Sequence, residues 1–172
     1  MSDTQPSRLA LRQSGNSWIA TLSSAQATES LGYKFGRQCS GGEVITLMGD
    51  LGTGKTVLAR GLALGLDIDP QLVMSPTFTL IQEYCGRVRF IHADLYRLEN
   101  PNELASLGIH EYFSPSTVVA IEWAERMGNE LPADRLNIQL DHQQPTVRKA
   151  TLTTTGPRSL DLINKIYEQT TT

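Results

Sequence analysis

The chain is poor in cysteine, in aromatic residues and in long apolar runs, and it has no excess of positive charge. Its two cysteines, Cys39 and Cys85, stand far apart without the His/Cys spacing of a zinc site, which predicts buried reduced thiols rather than a disulfide or a metal centre. No hydrophobic stretch approaches bilayer-spanning length, and the opening Met1-Ser2-Asp3-Thr4-Gln5 lacks the basic-then-apolar order of a secretory signal, so a cytoplasmic location with no membrane partner is expected. A formal net charge of -3 over 172 residues argues against a broad basic face and against unaided binding of nucleic acid. No Pro/Gly/Ser-rich linker divides the chain: a polar, disordered extension is expected over residues 1–16 and one domain over 17–170.

Within that domain the hydrophobic pattern alternates between strand and helix periods. Trp18 to Leu22 reads as a short strand, and Ser23 with Gln26 as a capping box opening a helix whose inner face is Ala27, Leu31 and Phe35. Val44-Ile45-Thr46-Leu47-Met48 and Val118-Val119-Ala120-Ile121 are apolar on both alternations, as central parallel strands under helices are. A helix with Val57, Leu58, Leu62 and Leu66 inward follows the first and ends near Gly65, before a turn at Asp69-Pro70. Phe78 to Tyr84 and Val88 to His92, separated by Cys85-Gly86-Arg87, predict a hairpin, and Asn100 with Glu103 caps a small helix. Two half-exposed antiparallel strands at Leu136 to Leu140 and Val147 to Thr155 lead to a closing helix with Leu160, Ile163 and Ile166 inward and a frayed Thr-rich tail. The order predicts an α/β fold, a three-layer sandwich of the P-loop NTPase type around a mixed, mostly parallel central sheet.

Between the first buried strand and its helix lies Gly49-Asp50-Leu51-Gly52-Thr53-Gly54-Lys55-Thr56, which fits G-x-x-x-x-G-K-[ST] with the required flanks. The glycines let successive N–H groups form an anion nest, Lys55 is suited to bridge outer phosphates, and the Thr56 hydroxyl to take one position on Mg²⁺. Nucleoside triphosphate binding is therefore expected. Glu122, directly after the second buried run, is the candidate metal-side carboxylate, although Asp is commoner there; the alternative is an ordinary strand-end glutamate. Asp94 either orients a water or caps a turn and pairs with Arg97. Ser75-Pro76-Thr77-Phe78-Thr79 is either a γ-phosphate-sensing switch or a plain Pro turn. Trp123 reads better as core than as a base-stacking residue, and His110 and His142 as surface or satisfied core. Asn164-Lys165-Ile166-Tyr167 lacks the Asp of a guanine-reading N-K-x-D segment, so ATP is expected over GTP.

Four motifs in order, Gly-Asp-Leu-Gly-Thr-Gly-Lys-Thr at 49–56, Ser-Pro-Thr-Phe-Thr-Leu at 75–80, His-Ala-Asp-Leu-Tyr-Arg-Leu at 92–98 and Ile-Glu-Trp-Ala-Glu at 121–125, make the chain resemble the bacterial TsaE (YjeE-like) ATPases of tRNA threonylcarbamoyladenosine synthesis. The resemblance implies a small Mg²⁺-dependent ATPase that joins TsaD and TsaB, resets that complex by hydrolysis and meets tRNA only through it. Carried over by residue, it implies Thr56 and Glu122 at the metal, Lys55 at the phosphates, Thr77 and Asp94 as switch and catalytic positions, Thr28 near the base and Arg148 as a further nucleotide contact. Ala25, where the family often has an acid, and Ala124-Glu125 depart from the pattern on the base side. Two other classes stay open: a small-molecule kinase sharing the phosphate loop, and a nucleotide-gated binding module without turnover.

Overall fold

A computed structural model of the chain describes residues 9–171. Eight strands form one sheet in the order β1-β2-β8-β7-β3-β6-β5-β4. They are β1 (Leu11–Ser14), β2 (Ser17–Leu22), β3 (Val44–Met48), β4 (Ile81–Cys85), β5 (Arg89–Asp94), β6 (Thr117–Glu122), β7 (Leu136–His142) and β8 (Arg148–Thr154). The four central strands β7, β3, β6 and β5 run parallel, and the flanking pairs are antiparallel. The mixed sheet expected from the sequence is thus present, with its parallel part at the centre.

Alternation along the buried strands divides the core between two faces. Ile45, Leu47, Val118 and Ala120 pack on one face with Leu31 and Phe35 of α1 (Ala25–Gln38), Leu58 and Leu62 of α2 (Lys55–Gly65), and Ile163 and Ile166 of α4 (Pro157–Thr171). Val44, Ile91, Val119 and Ile121 pack on the other with Leu104 of α3 (Pro101–Ser106), Ile109, Ala124 and Met127. Three layers result, as expected.

Helices α1 and α2 meet through glycine. A Cβ on Gly32 would stand 2.2 Å from the Leu58 carbonyl oxygen and one on Gly36 2.3 Å from that of Leu62, while Gly61 and Gly65 approach the carbonyls of Glu29 and Tyr33 as closely from the other side. The two backbones therefore touch without side chains between them, and the start of α1 is drawn onto the loop that precedes α2.

Several boundaries differ from the sequence reading. The strand at Leu11–Ser14 lies inside the segment expected to be an extension: Gly15, at φ +59, lets the chain reverse and pair Leu11 with Ala20. The extension's first eight residues lie outside those described. The cap of α1 is Ser24, whose hydroxyl accepts from the Ala27 amide at 3.1 Å, rather than Ser23 with Gln26. Both serines are favoured N-cap residues although only Ser23 has Gln three residues on; the helix starts at Ala25 and buries Thr28 beside Leu31 and Phe35. β4 begins at Ile81 rather than Phe78, since Leu80 adopts φ 65 and donates its amide to the Pro76 carbonyl in a turn. Asn100 caps α3 as expected, but the Glu103 carboxylate reaches the Glu99 amide at 3.4 Å, one residue before the cap. In α4 the inward residues are Leu162, Ile163 and Ile166, whereas Leu160 is 43% exposed, and the helix continues through Thr171 where a frayed tail was expected. Cys39 is buried, which together with Glu43 pushes its thiol pKa well up, but Cys85 is exposed, against expectation. Among the described residues no helix is long and apolar enough to cross a membrane.

Candidate functional site

The parallel strands β3, β6 and β5 end side by side, and the loop joining β3 to α2 turns over their ends. Gly49 and Gly54 hold this loop at φ 139 and 104, backbone that L side chains rarely adopt. A Cβ at Gly49 would also strike the Leu140 carbonyl at 2.3 Å. The Thr53 hydroxyl pins the turn by donating to the Asp50 carbonyl at 2.9 Å. Gly54 leads into α2 without a side-chain cap, so the first amides of that helix keep their donor capacity and dipole for an anion.

Lys55 is 5% exposed, and its ammonium donates to the Gly49 and Asp50 carbonyls at 2.7 and 2.8 Å. It also lies 4.4 Å from the centroid of the Trp123 ring. Burial lowers its pKa, and the nearby carboxylates, Glu122 foremost, only partly offset this. Trp123 is half-buried against the second core in a left-handed conformation at φ 57, with Tyr96 tilted beside it at 5.0 Å. Its ring thus packs as core on one side, as expected, and faces the lysine of the phosphate loop on the other.

Two carboxylates form the floor. Asp94 and Glu122 are register partners on β5 and β6, and both are 3% exposed. Glu122 Oε1 accepts from the Thr56 hydroxyl at 2.8 Å and from His92 Nε2 at 2.8 Å. Asp94 Oδ2 lies 2.8 Å from Ser75 Oγ and 2.7 Å from Thr77 Oγ1, and those two hydroxyls are 2.6 Å apart. Three oxygen separations share two hydroxyl protons, so the hydroxyls cannot satisfy all three at once. Asp94 Oδ1 accepts from the Tyr96 amide at 2.9 Å, which makes it the turn cap that was one of its two readings. The ion pair with Arg97 is not formed: that guanidinium stacks on Phe78, 4.2 Å from the ring centroid, and Phe78 is itself 83% exposed.

A cleft of about 300 Å³ gathers Leu51, Lys55, Thr56, Thr77, Asp94, Glu122 and Trp123. A hollow of about 280 Å³ beside Tyr33 and Leu64 has its polar groups, Gln26, Glu29 and Ser30, on one helix without an opposing constellation. Thr28 is buried against the end of the loop, its methyl 3.4 Å from where a Cβ on Gly54 would stand, and its hydroxyl donates to the Ser24 carbonyl at 3.3 Å. Arg148 reaches the tip of the loop, donating from Nη2 to the Gly52 carbonyl at 3.3 Å. His142 Nε2 lies 3.5 Å from the Leu51 carbonyl, and His110 pairs with Glu130 at 3.1 Å on the surface. The structure thus brings together every candidate from 49 to 56 with Thr77, Asp94, Glu122, Thr28 and Arg148. Sequence reasoning missed His92 and left Ser75 without a partner. For His92 a signal existed: it is the polar residue in a buried strand, two positions before Asp94 and so on the same face.

The residues fit a nucleotide with Mg²⁺. The loop offers an anion cradle and a lysine whose hydrogen bonds go to the loop's own carbonyls, and the Thr56 hydroxyl keeps lone pairs for a cation while its proton rests on Glu122. Among the described residues no cluster of three or more His, Cys, Asp or Glu is placed to hold a metal alone. One hydroxyl and one carboxylate suit Mg²⁺, which completes its shell with phosphate and water.

A family described as threonylcarbamoyl adenosine biosynthesis protein TsaE matches residues 22–150. A protein of Nostoc sp. named tRNA threonylcarbamoyladenosine biosynthesis protein TsaE is 43% identical over 147 residues, covering 83% of this chain and 89% of that protein. The Bacillus subtilis protein of the same name is 43% identical over 118 residues, covering 68% and 73%. A crystal structure of YdiB from Bacillus subtilis superposes with a TM-score of 0.78 at 30% identity, over 92% of this chain and 97% of that one.

Proposed function

The chain belongs to the TsaE family of threonylcarbamoyl adenosine biosynthesis proteins, and on that premise we propose that it is an ATP-binding, Mg²⁺-dependent ATPase acting as an accessory subunit in threonylcarbamoyladenosine modification of tRNA. The observation that carries the reading is the 2.8 Å hydrogen bond from Thr56 to Glu122, which joins the end of the phosphate loop to the end of the neighbouring parallel strand. Thr56 and Glu122 would hold Mg²⁺, and the ion when bound supplies positive charge against the outer phosphates. Lys55 exchanges its loop carbonyls for phosphate oxygens, and the amides opening α2 add fixed dipoles. Asp94 Oδ2 orients a water by accepting its proton once Ser75 or Thr77 turns away, and Thr77 serves as the switch hydroxyl. Thr28 and Arg148 flank the nucleotide beyond the phosphates.

Among the described residues no arginine lines the cleft, Arg148 bonding instead to the Gly52 carbonyl at the tip of the loop, so turnover by the lone chain is slow, and partner proteins of the TsaB and TsaD kind complete the site. Hydrolysis then resets the complex, while tRNA is held by the partners, in keeping with the net charge of -3. A cytoplasmic location follows from that role. The test is ATP and GTP turnover by the purified chain, alone and with the TsaB and TsaD homologues of the same cell. ATP hydrolysis that rises strongly with both partners supports the reading; fast hydrolysis by the lone chain, or phosphoryl transfer to an added metabolite, refutes it.

A further inference from the structure

We propose that His92 is the positioning residue for Glu122, donating its Nε2–H to Oε1 so that the carboxylate faces Thr56. The inference rests on the metal-side role of Glu122 argued above. A glutamate at this strand end has one more rotatable bond than the commoner aspartate, so its carboxylate needs a second anchor to stay in one place. Thr56, on α2, supplies one hydrogen bond at 2.8 Å. His92 supplies the other at 2.8 Å from the neighbouring strand, where it is the register partner of Ala120, two residues before Glu122.

The imidazole is suited to hold that position. It has no exposed surface, and it stacks on Phe90 of the same strand at a centroid distance of 6.2 Å and an interplanar angle of 14°. Its Nδ1 is buried and has no hydrogen-bond partner. A carboxylate only accepts, so Nε2 carries the proton of this bond, and Nδ1, with no acceptor to receive a second proton, is left the lone pair. With no hydrogen bond at Nδ1, the ring is aimed by one hydrogen bond alone, the bond to Glu122. Partners of this kind behind a ligating group tune metal affinity or activity by about 10- to 100-fold.

The tests use the full chain. In ligand-free ¹⁵N-labelled protein the His92 ring is expected as the Nε2–H tautomer with a slowly exchanging ring proton, and Glu122→Ala should abolish that protection. In fluorescent-nucleotide binding, His92→Phe should raise the Mg²⁺ concentration needed for tight binding about 10- to 100-fold, with affinity in EDTA unchanged, and His92→Gln, whose amide can donate from a similar position, should recover most of the loss. An Nδ1–H tautomer in the parent, or a folded His92→Phe with the parent's Mg²⁺ requirement, overturns the inference. If the parent bound nucleotide without regard to Mg²⁺, the metal-side reading of Glu122 would fail instead, and the tautomer spectrum would still decide whether His92 holds that carboxylate.

Discussion

Lys55 Nζ lies 4.4 Å from the centroid of the Trp123 ring while it donates to two carbonyls of its own loop. A cation over an indole face perturbs its emission, so the pair reports where the ammonium is. The other tryptophan, Trp18, is 4% exposed in the core and gives a constant background.

Nucleotide binding is therefore expected to change the intrinsic fluorescence, and Trp123→Phe to abolish the change while leaving the Trp18 signal. Lys55→Ala should lower ATP affinity about 10- to 100-fold, the worth of one charged hydrogen-bonding group. Titration calorimetry of parent and variant checks it; equal affinities would refute the role given to the loop.

Asp94 and Glu122 are neighbours in register with different partners, so their variants should fail differently. Glu122→Gln keeps the shape but lowers the attraction for Mg²⁺, and the loss should be reduced by raising Mg²⁺. Asp94→Asn should lower turnover on the order of 10² at any Mg²⁺ concentration. Steady-state ATPase over a Mg²⁺ series with partners present separates the two; identical profiles would remove the division between metal side and water side.

Gly36→Ala tests the contact between α1 and α2. Alanine in a helix gains about 0.5–1 kcal/mol over glycine, but a Cβ here meets the Leu62 carbonyl at 2.3 Å and the Gly65 Cα at 2.9 Å, both backbone. Overpacking of this kind costs about 1–3 kcal/mol, so the variant should be less stable in urea denaturation. A more stable variant would mean that the helices separate at little cost.

The Asp134 carboxylate accepts from the Arg158 amide at 2.8 Å and the Ser159 amide at 3.0 Å, capping α4 from another element. Burial pushes its pKa up, but these backbone bonds, with the Ser159 hydroxyl and the Arg158 charge, outweigh it and hold the carboxyl below its ordinary value of 3.8. The folded value is the lower one, so the stabilisation is complete above the unfolded value near pH 4 and is lost as pH falls through the folded value. Asp134→Ala should cost about 1 kcal/mol at pH 7, and urea midpoints of parent and variant should converge as pH falls through the folded value.

The phosphate loop and Glu122 were legible because each is written contiguously, as a glycine pattern or as the residue that ends an apolar run. Asp94 was legible in position but not in partners: Ser75 and Thr77 reach it through a turn set by the left-handed Leu80, which no local pattern announces. His92 was hidden because its bond to Glu122 depends on the register of β5 against β6. The strand at Leu11–Ser14 has one buried residue and takes its backbone partners from β2, so a polar segment was the natural expectation. The cap at Ser24 was misread by one residue because two favoured cap residues stand side by side, and the face of α4 by two because Leu160 and Leu162 both offer an apolar side chain near the helix start.

The glycine contact between α1 and α2 also decides which wall of the cleft can yield. Backbones already in contact cannot slide by a fraction of a turn without carbonyls colliding with Cα atoms, so this wall is stiff, a bearing surface that keeps Thr28 at a constant distance from the loop. The opposite wall hangs on two hydroxyls at one aspartate and a single turn at Pro76 to Leu80. Compliance is thus concentrated on one side. That yielding side carries Phe78, 83% exposed beneath the Arg97 guanidinium, at its outer surface.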